Sequence, residues 1–275
     1  MARPSPYRRA VLAMGPGAVD RQTLREMVEF ARLLDLEMLG LFVEDETMLG
    51  LADLPFAREL RLPDHAWHRF DAGRMAAELD AAAAEARRLF EQESAAHGLP
   101  RRFEIRRGDP AAVLGTLAAT DILVVGEPES GAGMATTTIT RVRRAALQSS
   151  ATILILPPVA MVGSGPVALL AAGTSDPAFA LASHVAAAVG EELVMVASPG
   201  DVSPAELVAC FDRDLHRGHE RLVVMARGAS GLSEEAMLKL AAARCVPVLV
   251  IEAPGRKETP PGNDTASAGR RNPSR

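Results

Sequence analysis

Aromatic residues are scarce, at 4% of the 275 residues, with a single tryptophan, Trp67. Stacking platforms of the kind that hold single-stranded nucleic acid are correspondingly few, and aliphatic packing has to supply the core. Cysteine is nearly missing. Cys210 and Cys245 are the two, both in apolar tracts, so buried free thiols are expected rather than a disulfide framework. An excess of positive charge is also missing. Lys and Arg number 30 against 35 Asp and Glu, for a net charge of −5, so no nucleic-acid partner is expected. The most apolar region, 167–196, is interrupted by Asp176, Pro177, His184 and Glu191, which excludes membrane insertion through it. No apolar run follows Met1, so no signal peptide is expected and a cytoplasmic location is.

What the chain does have is alternation. Short continuous apolar runs at 10–14, 39–43, 121–126 and 151–156 read as strands buried on both faces. Between them, Leu24, Met27, Val28, Ala31 and Leu34 recur at helical spacing, and residues 71–96 are rich in helix formers. Asp109-Pro110 predicts a capped helix start, and Phe103 and Ile105 alternate with charge as in an edge strand. A further helix is expected near 138–148. Residues 46–70 form an apolar insertion, with Met48, Phe56 and Trp67, expected to pack as short helices with Trp67 at least partly buried. Strands alternating with helices imply a parallel sheet covered on both faces.

The second half repeats the first in shortened form. Asp121-Ile-Leu-Val-Val-Gly126, a helix and Ala151-Thr-Ile-Leu-Ile-Leu156 are matched by Arg221-Leu-Val-Val-Met-Ala226, a helix and Val246-Pro-Val-Leu-Val-Ile251. Ala10 to Gly15 is matched by Val167 to Gly173. A repeat of this length is a whole α/β domain rather than a solenoid unit. We therefore expect two tandem doubly wound parallel-sheet domains, the second smaller. The first spans 7–158, a linker 159–165, the trimmed second domain 166–253, and a disordered tail 254–275. Strands 151–156 and 246–251, both apolar and terminal, are expected to lie adjacent and antiparallel, which removes two exposed edges. Pro247 should keep that pairing short.

Three tracts resemble the universal stress protein family in its tandem form: Gly108-Asp-Pro-Ala111 before a helix, Thr120-Asp-Ile-Leu-Val-Val-Gly126, and Ala243-Arg-Cys-Val-Pro-Val-Leu-Val-Ile251. The resemblance covers about 8–252. It implies a five-stranded parallel sheet in a complete domain, frequent ATP binding, and dimerisation through the last strand. In this chain the two halves would supply that contact as an intramolecular pseudo-dimer. A homodimer of the whole chain and a protein partner the sequence does not name are open alternatives.

At the nucleotide site the chain departs from that family. The resemblance implies an Asp at the end of the first strand; Met14 and Ala172 stand there. The loop after the fourth strand, Gly126-Glu-Pro-Glu-Ser-Gly131-Ala-Gly133, keeps glycines out of register and adds Glu127 and Glu129. Thr136-Thr137-Thr138 before a helix bearing Arg141 could hold an anion at free N–H groups; the plainer alternative is a threonine cap and solvated arginines. The candidate loop is thus Gly126, Gly131, Gly133, Thr137, Thr138 and Arg141, and no cofactor is expected, with ATP or AMP as the alternative. No metal site is expected: His65-x2-His68 and His216-x2-His219 lack cysteine partners. Gly15-x-Gly17, followed by Asp20 where a third glycine would stand, reads as an ordinary turn. Asp45, Asp53 and Asp64 are expected to face solvent or cap. No catalytic residues assemble from the sequence. The reading is a non-enzymatic stress-type regulatory protein with a degenerate site. The alternatives are an ATP- or AMP-binding switch, or a small-molecule enzyme using the crevice at the strand ends.

Overall fold

The computed structural model describes residues 6–16, 21–47, 50, 54, 56–61, 66–126, 134–149, 151–157, 164–171, 173–197, 204–215, 220–227 and 233–252. The expected linker 159–165 lies mostly outside these, and the tail 254–275 wholly so. The first half gives β1 (Arg9–Met14), α1 (Arg21–Leu33), β2 (Glu37–Asp45), β3 (Arg58–Arg61), β4 (Ala66–Arg69) and α2 (Ala72–Ala95). It continues with β5 (Arg101–Gly108), α3 (Pro110–Leu114), β6 (Asp121–Gly126), α4 (Met134–Gln148) and β7 (Thr152–Leu156). The second half gives β8 (Val167–Ala171), α5 (Ala178–Val189), β9 (Leu193–Ala197), α6 (Pro204–Asp214), β10 (Leu222–Ala226), α7 (Glu234–Arg244) and β11 (Val248–Ile251).

Nine strands form one sheet in the order β5-β2-β1-β6-β7-β11-β10-β8-β9. Every neighbouring pair is parallel except one: β7 and β11 run antiparallel, with Ile155, Leu154 and Ile153 opposite Val248, Leu249 and Val250. The pairing expected between the two terminal strands is therefore present, and it is three residues long. Pro247 has no N–H to extend it. Outward from this seam, β7-β6-β1-β2 and β11-β10-β8-β9 follow the same order. Only the first set continues, to β5.

Side chains on a strand alternate between faces, and here both faces are apolar. Ala10, Leu12, Met14, Leu154, Leu156, Leu249 and Ile251 pack toward α1, α2 and α5. Val11, Ile153, Ile155, Val248 and Val250 pack toward α3, α4, α6 and α7. Helices on both sides of a mostly parallel sheet make a doubly wound α/β fold. Arg227, just past β10, donates from Nη1 to the carbonyl of Leu147 in the last turn of α4, tying the halves together through a helix C-terminus. Cys210 is buried, Cys245 half-buried, and neither is in a disulfide.

Tyr7, the only tyrosine, packs against the first of these layers, its hydroxyl 2.9 Å from Thr152 Oγ1. Burial pushes its phenol above the ordinary value near pH 10, and the bond to Thr152 offsets part of this. A raised acid pKa means the fold favours the neutral phenol. That contribution is intact below the unfolded pKa and is lost as pH rises through the native one. The phenolate absorbance of the native protein should therefore titrate at higher pH than in urea. Coincident midpoints would contradict this placement.

The insertion differs from expectation. Residues 46, 47 and 50 are helical, but β3 and β4 pair as an antiparallel hairpin. Its base is anchored where Phe70 N–H donates to the Ala57 carbonyl at 3.1 Å, and Phe70 packs with Met75 and Leu79 of α2. On β4 the period-two alternation turns Ala66 and His68 half inward and Trp67 and Arg69 outward. Trp67 is 64% exposed and Phe56 76%, so the expected burial of Trp67 is corrected. Met48 lies outside the described residues. Trp67 fluorescence should show water-like emission and quench freely in the native protein; a blue-shifted, protected signal would contradict the hairpin's orientation.

Candidate functional site

In a parallel sheet, ligands gather at the carboxyl ends of the strands, where β1, β2, β5 and β6 end at Met14, Asp45, Gly108 and Gly126. Met14 is 1% exposed, within the apolar layer under α1 and α2. A Cβ on Gly40 would come within 2.9 Å of the Met14 Cε and 2.7 Å of the Phe103 ring. Both side chains therefore lie directly over that glycine, and the space is filled by thioether and ring carbon. Gly126 is kept small for a similar reason: a Cβ there would lie 2.8 Å from Thr23 Oγ1.

The polar centre of this edge is Arg141 of α4. Its Nη1 donates to Asp45 Oδ2, and its Nη2 donates to Asp109 Oδ1 at 2.9 Å. Asp45, at the end of β2, has a side chain 1% exposed, and its other oxygen accepts from the Thr47 N–H at 3.0 Å. It is neither solvent-facing nor a simple cap, a correction to the sequence expectation. Asp109 caps α3 as expected, accepting from Ala111 and Ala112 N–H at 3.0 and 3.2 Å, while its second oxygen holds Arg141. On the opposite face of β2 from Asp45, buried Glu44 accepts from Arg107 Nε at 3.0 Å. Asp45 and Asp109 thus share one guanidinium, with both prongs of the Arg141 fork taken, while Glu44 pairs separately with Arg107.

Arg141 is the one candidate loop residue whose side-chain partners are seen, and they are acids. α4 begins at Met134, earlier than expected, so Thr137 and Thr138 are its fourth and fifth residues. Thr138 lies past the four N–H groups left free at a helix start, and Thr137 is the last of those four. Gly131, Gly133, Glu127 and Glu129 lie outside the described residues, as do Ala172, His65, His216 and His219. The Asp45–Arg141–Asp109 cluster was not legible beforehand, because its members are 96 and 32 residues apart. The usable hint was a pair of acids, Glu44 and Asp45, ending an otherwise apolar strand.

Removing Arg141 should strand a buried carboxylate. Arg141→Leu is expected to cost about 2–3 kcal/mol in urea unfolding, less than for a fully buried pair because the guanidinium is partly wet. Arg141→Lys should recover only part of that, since an ammonium cannot fork to two acids. Wild-type stability in both variants would show that the cluster is not formed in solution.

No family model matches the chain, and no curated protein matches it. Solved structures do. A universal stress protein from Archaeoglobus fulgidus DSM 4304 aligns over 88% of this chain and 96% of its own, at 15% identity and a TM-score of 0.56. A putative universal stress protein from Pseudomonas aeruginosa UCBPP-PA14 covers 90% and 94%, at 9% identity and a TM-score of 0.43. An Archaeoglobus fulgidus universal stress protein in complex with dAMP covers 54% of this chain at a TM-score of 0.30, too slight a likeness to transfer its ligand. The chain therefore has a universal-stress-protein-like, doubly wound α/β fold. No helix among the described residues is long and apolar enough to cross a membrane.

Proposed function

We propose that this chain is a non-enzymatic regulatory protein of the universal-stress type, built as a tandem of a complete domain (7–158) and a trimmed one (166–253), whose nucleotide site has decayed. The observation that carries the reading is the charge at the strand ends. Glu44, Asp45 and Asp109 outnumber Arg107 and Arg141, and the loop that would cradle phosphates adds Glu127 and Glu129. A triphosphate would enter a field of its own sign. A unit-charge pair at about 4 Å costs on the order of 1 kcal/mol in water, and more where solvent is excluded. Met14 replaces a carboxylate acceptor with a buried thioether. The tandem reading is supported by the shared strand order on the two sides of the antiparallel seam. That seam takes the place of a dimer contact between two separate chains. The non-enzymatic reading rests on the lack of a nucleophile–base set in the sequence.

Mass spectrometry of the natively purified full chain tests this. The expected spectrum contains the polypeptide mass alone. A stoichiometric adenine-nucleotide adduct would instead favour the ATP- or AMP-binding switch, with Gly131 and Gly133 as its phosphate loop.

A further inference from the structure

A cavity of about 80 Å³ lies over the seam, on the face covered by α1 and α5. Its apolar lining comes from both halves: Leu154 and Leu156 of β7, Val185 of α5 and Leu222 of β10. Its charged lining is of both signs. Glu29 projects from α1, and Arg221 stands at the foot of β10. Neither forms an ion pair or side-chain hydrogen bond with the other or with any described residue. A second acid, Glu26, is already held by Gln22 at 2.7 Å.

We infer that this cavity binds a small aliphatic α-amino acid. Two unpaired opposite charges beside an apolar floor are complementary to a molecule that carries both charges beside an apolar tail. The ligand carboxylate would accept from the Arg221 guanidinium, which suits a planar two-oxygen partner. The ligand ammonium would donate to Glu29. The side chain would lie on the leucines, where burial of each methylene favours binding. Size sets the class: one water-sized probe needs about 10–15 Å³, so the space admits on the order of half a dozen carbon-sized atoms. That suits a branched aliphatic side chain and is well short of the roughly 300 Å³ at which pockets for drug-sized ligands begin. Because the ligand touches α1 and β7 as well as α5 and β10, it would bridge the two halves. The inference does not depend on whether nucleotide binds at the strand ends.

Calorimetry on the full chain tests it with three compounds: leucine, isopentylamine, which lacks the carboxylate, and 4-methylpentanoate, which lacks the ammonium. Leucine should bind with a Kd of about 1 mM or tighter, in line with the small number of atoms it can bury. Each truncated analogue should bind about tenfold more weakly or worse, having lost a charge-assisted hydrogen bond. Glu29→Gln and Arg221→Gln should each weaken leucine by a similar factor while leaving Tm without ligand unchanged, since neither side chain supports the fold. The inference is overturned if no heat is seen with leucine at about 20 mM, well above the Kd expected of so small a ligand. It is equally overturned if either analogue binds as well as leucine, or if both variants bind leucine like wild type.

Discussion

Leu249→Asp should yield no folded protein. Leu249 is fully buried at the centre of the seam, opposite Leu154, and the strand carrying it is four residues long. An ionised carboxylate there has no partner. Its desolvation, several kcal/mol or more, is comparable with the whole stability of about 5–15 kcal/mol expected of a domain. The milder Leu249→Ala removes side-chain atoms and leaves a cavity, at an expected cost of about 2–5 kcal/mol. Far-UV circular dichroism and size exclusion read the first variant, and urea unfolding reads the second. A folded Leu249→Asp protein melting like wild type would mean that β7 and β11 do not meet.

Glu220→Ala should cost about 3–5 kcal/mol, the range found when one partner of a buried ion pair is removed. Glu220 has no exposed surface and accepts from Arg244 Nε and Nη2 at 2.7 and 2.8 Å. Arg244 also pairs with Asp212 and lies 5.6 Å over the Phe211 ring. The hydrogen bonds to Glu220 are the main reason its guanidinium holds its proton even more firmly than usual. Without Glu220 that charge remains buried, with Asp212 as its one remaining acid partner among the described residues. Replacing both, as Glu220→Leu with Arg244→Met, should return most of the loss, because the penalty comes from the stranded charge rather than from a large net gain by the pair. Urea unfolding of the two single variants and the double variant gives the coupling directly. Additive losses would show that the two residues act independently.

These variants test features of differing legibility. The strands were readable because a strand covered on both faces must be apolar throughout, and Asp121 to Gly126 or Val248 to Ile251 fit little else. The α3 start was readable because Asp109 and Pro110 each have a local reason to stand where they do. The seam was readable because two apolar terminal strands need partners. The hairpin was not. β3 and β4 are four residues each, and the charges of Arg58-Glu-Leu-Arg61 mask any strand pattern. Trp67 was misplaced because a large aromatic is normally driven inward, yet alternation on β4 leaves it on the solvent side. The ion pairs were hidden for another reason. Arg9 with Asp121, at 2.8 and 2.7 Å, and Arg141 with Asp45 join residues about a hundred positions apart, and only the folded sheet brings them together.

The same limit applied to the site. From the sequence alone, Met14 could be seen to remove a carboxylate acceptor, and the two glutamates after Gly126 to disfavour phosphate. That Arg141, the natural cation for an anion, is instead engaged by Asp45 and Asp109 needed the fold. Titration calorimetry of the full chain with ATP and with AMP, each carried to about 1 mM, puts the decayed-site reading to its most direct test. The account predicts no binding heat for either nucleotide. Micromolar ATP affinity that disappears when Gly131 or Gly133 is replaced by a bulky residue would contradict it, and would make the glycine-rich loop a working phosphate site.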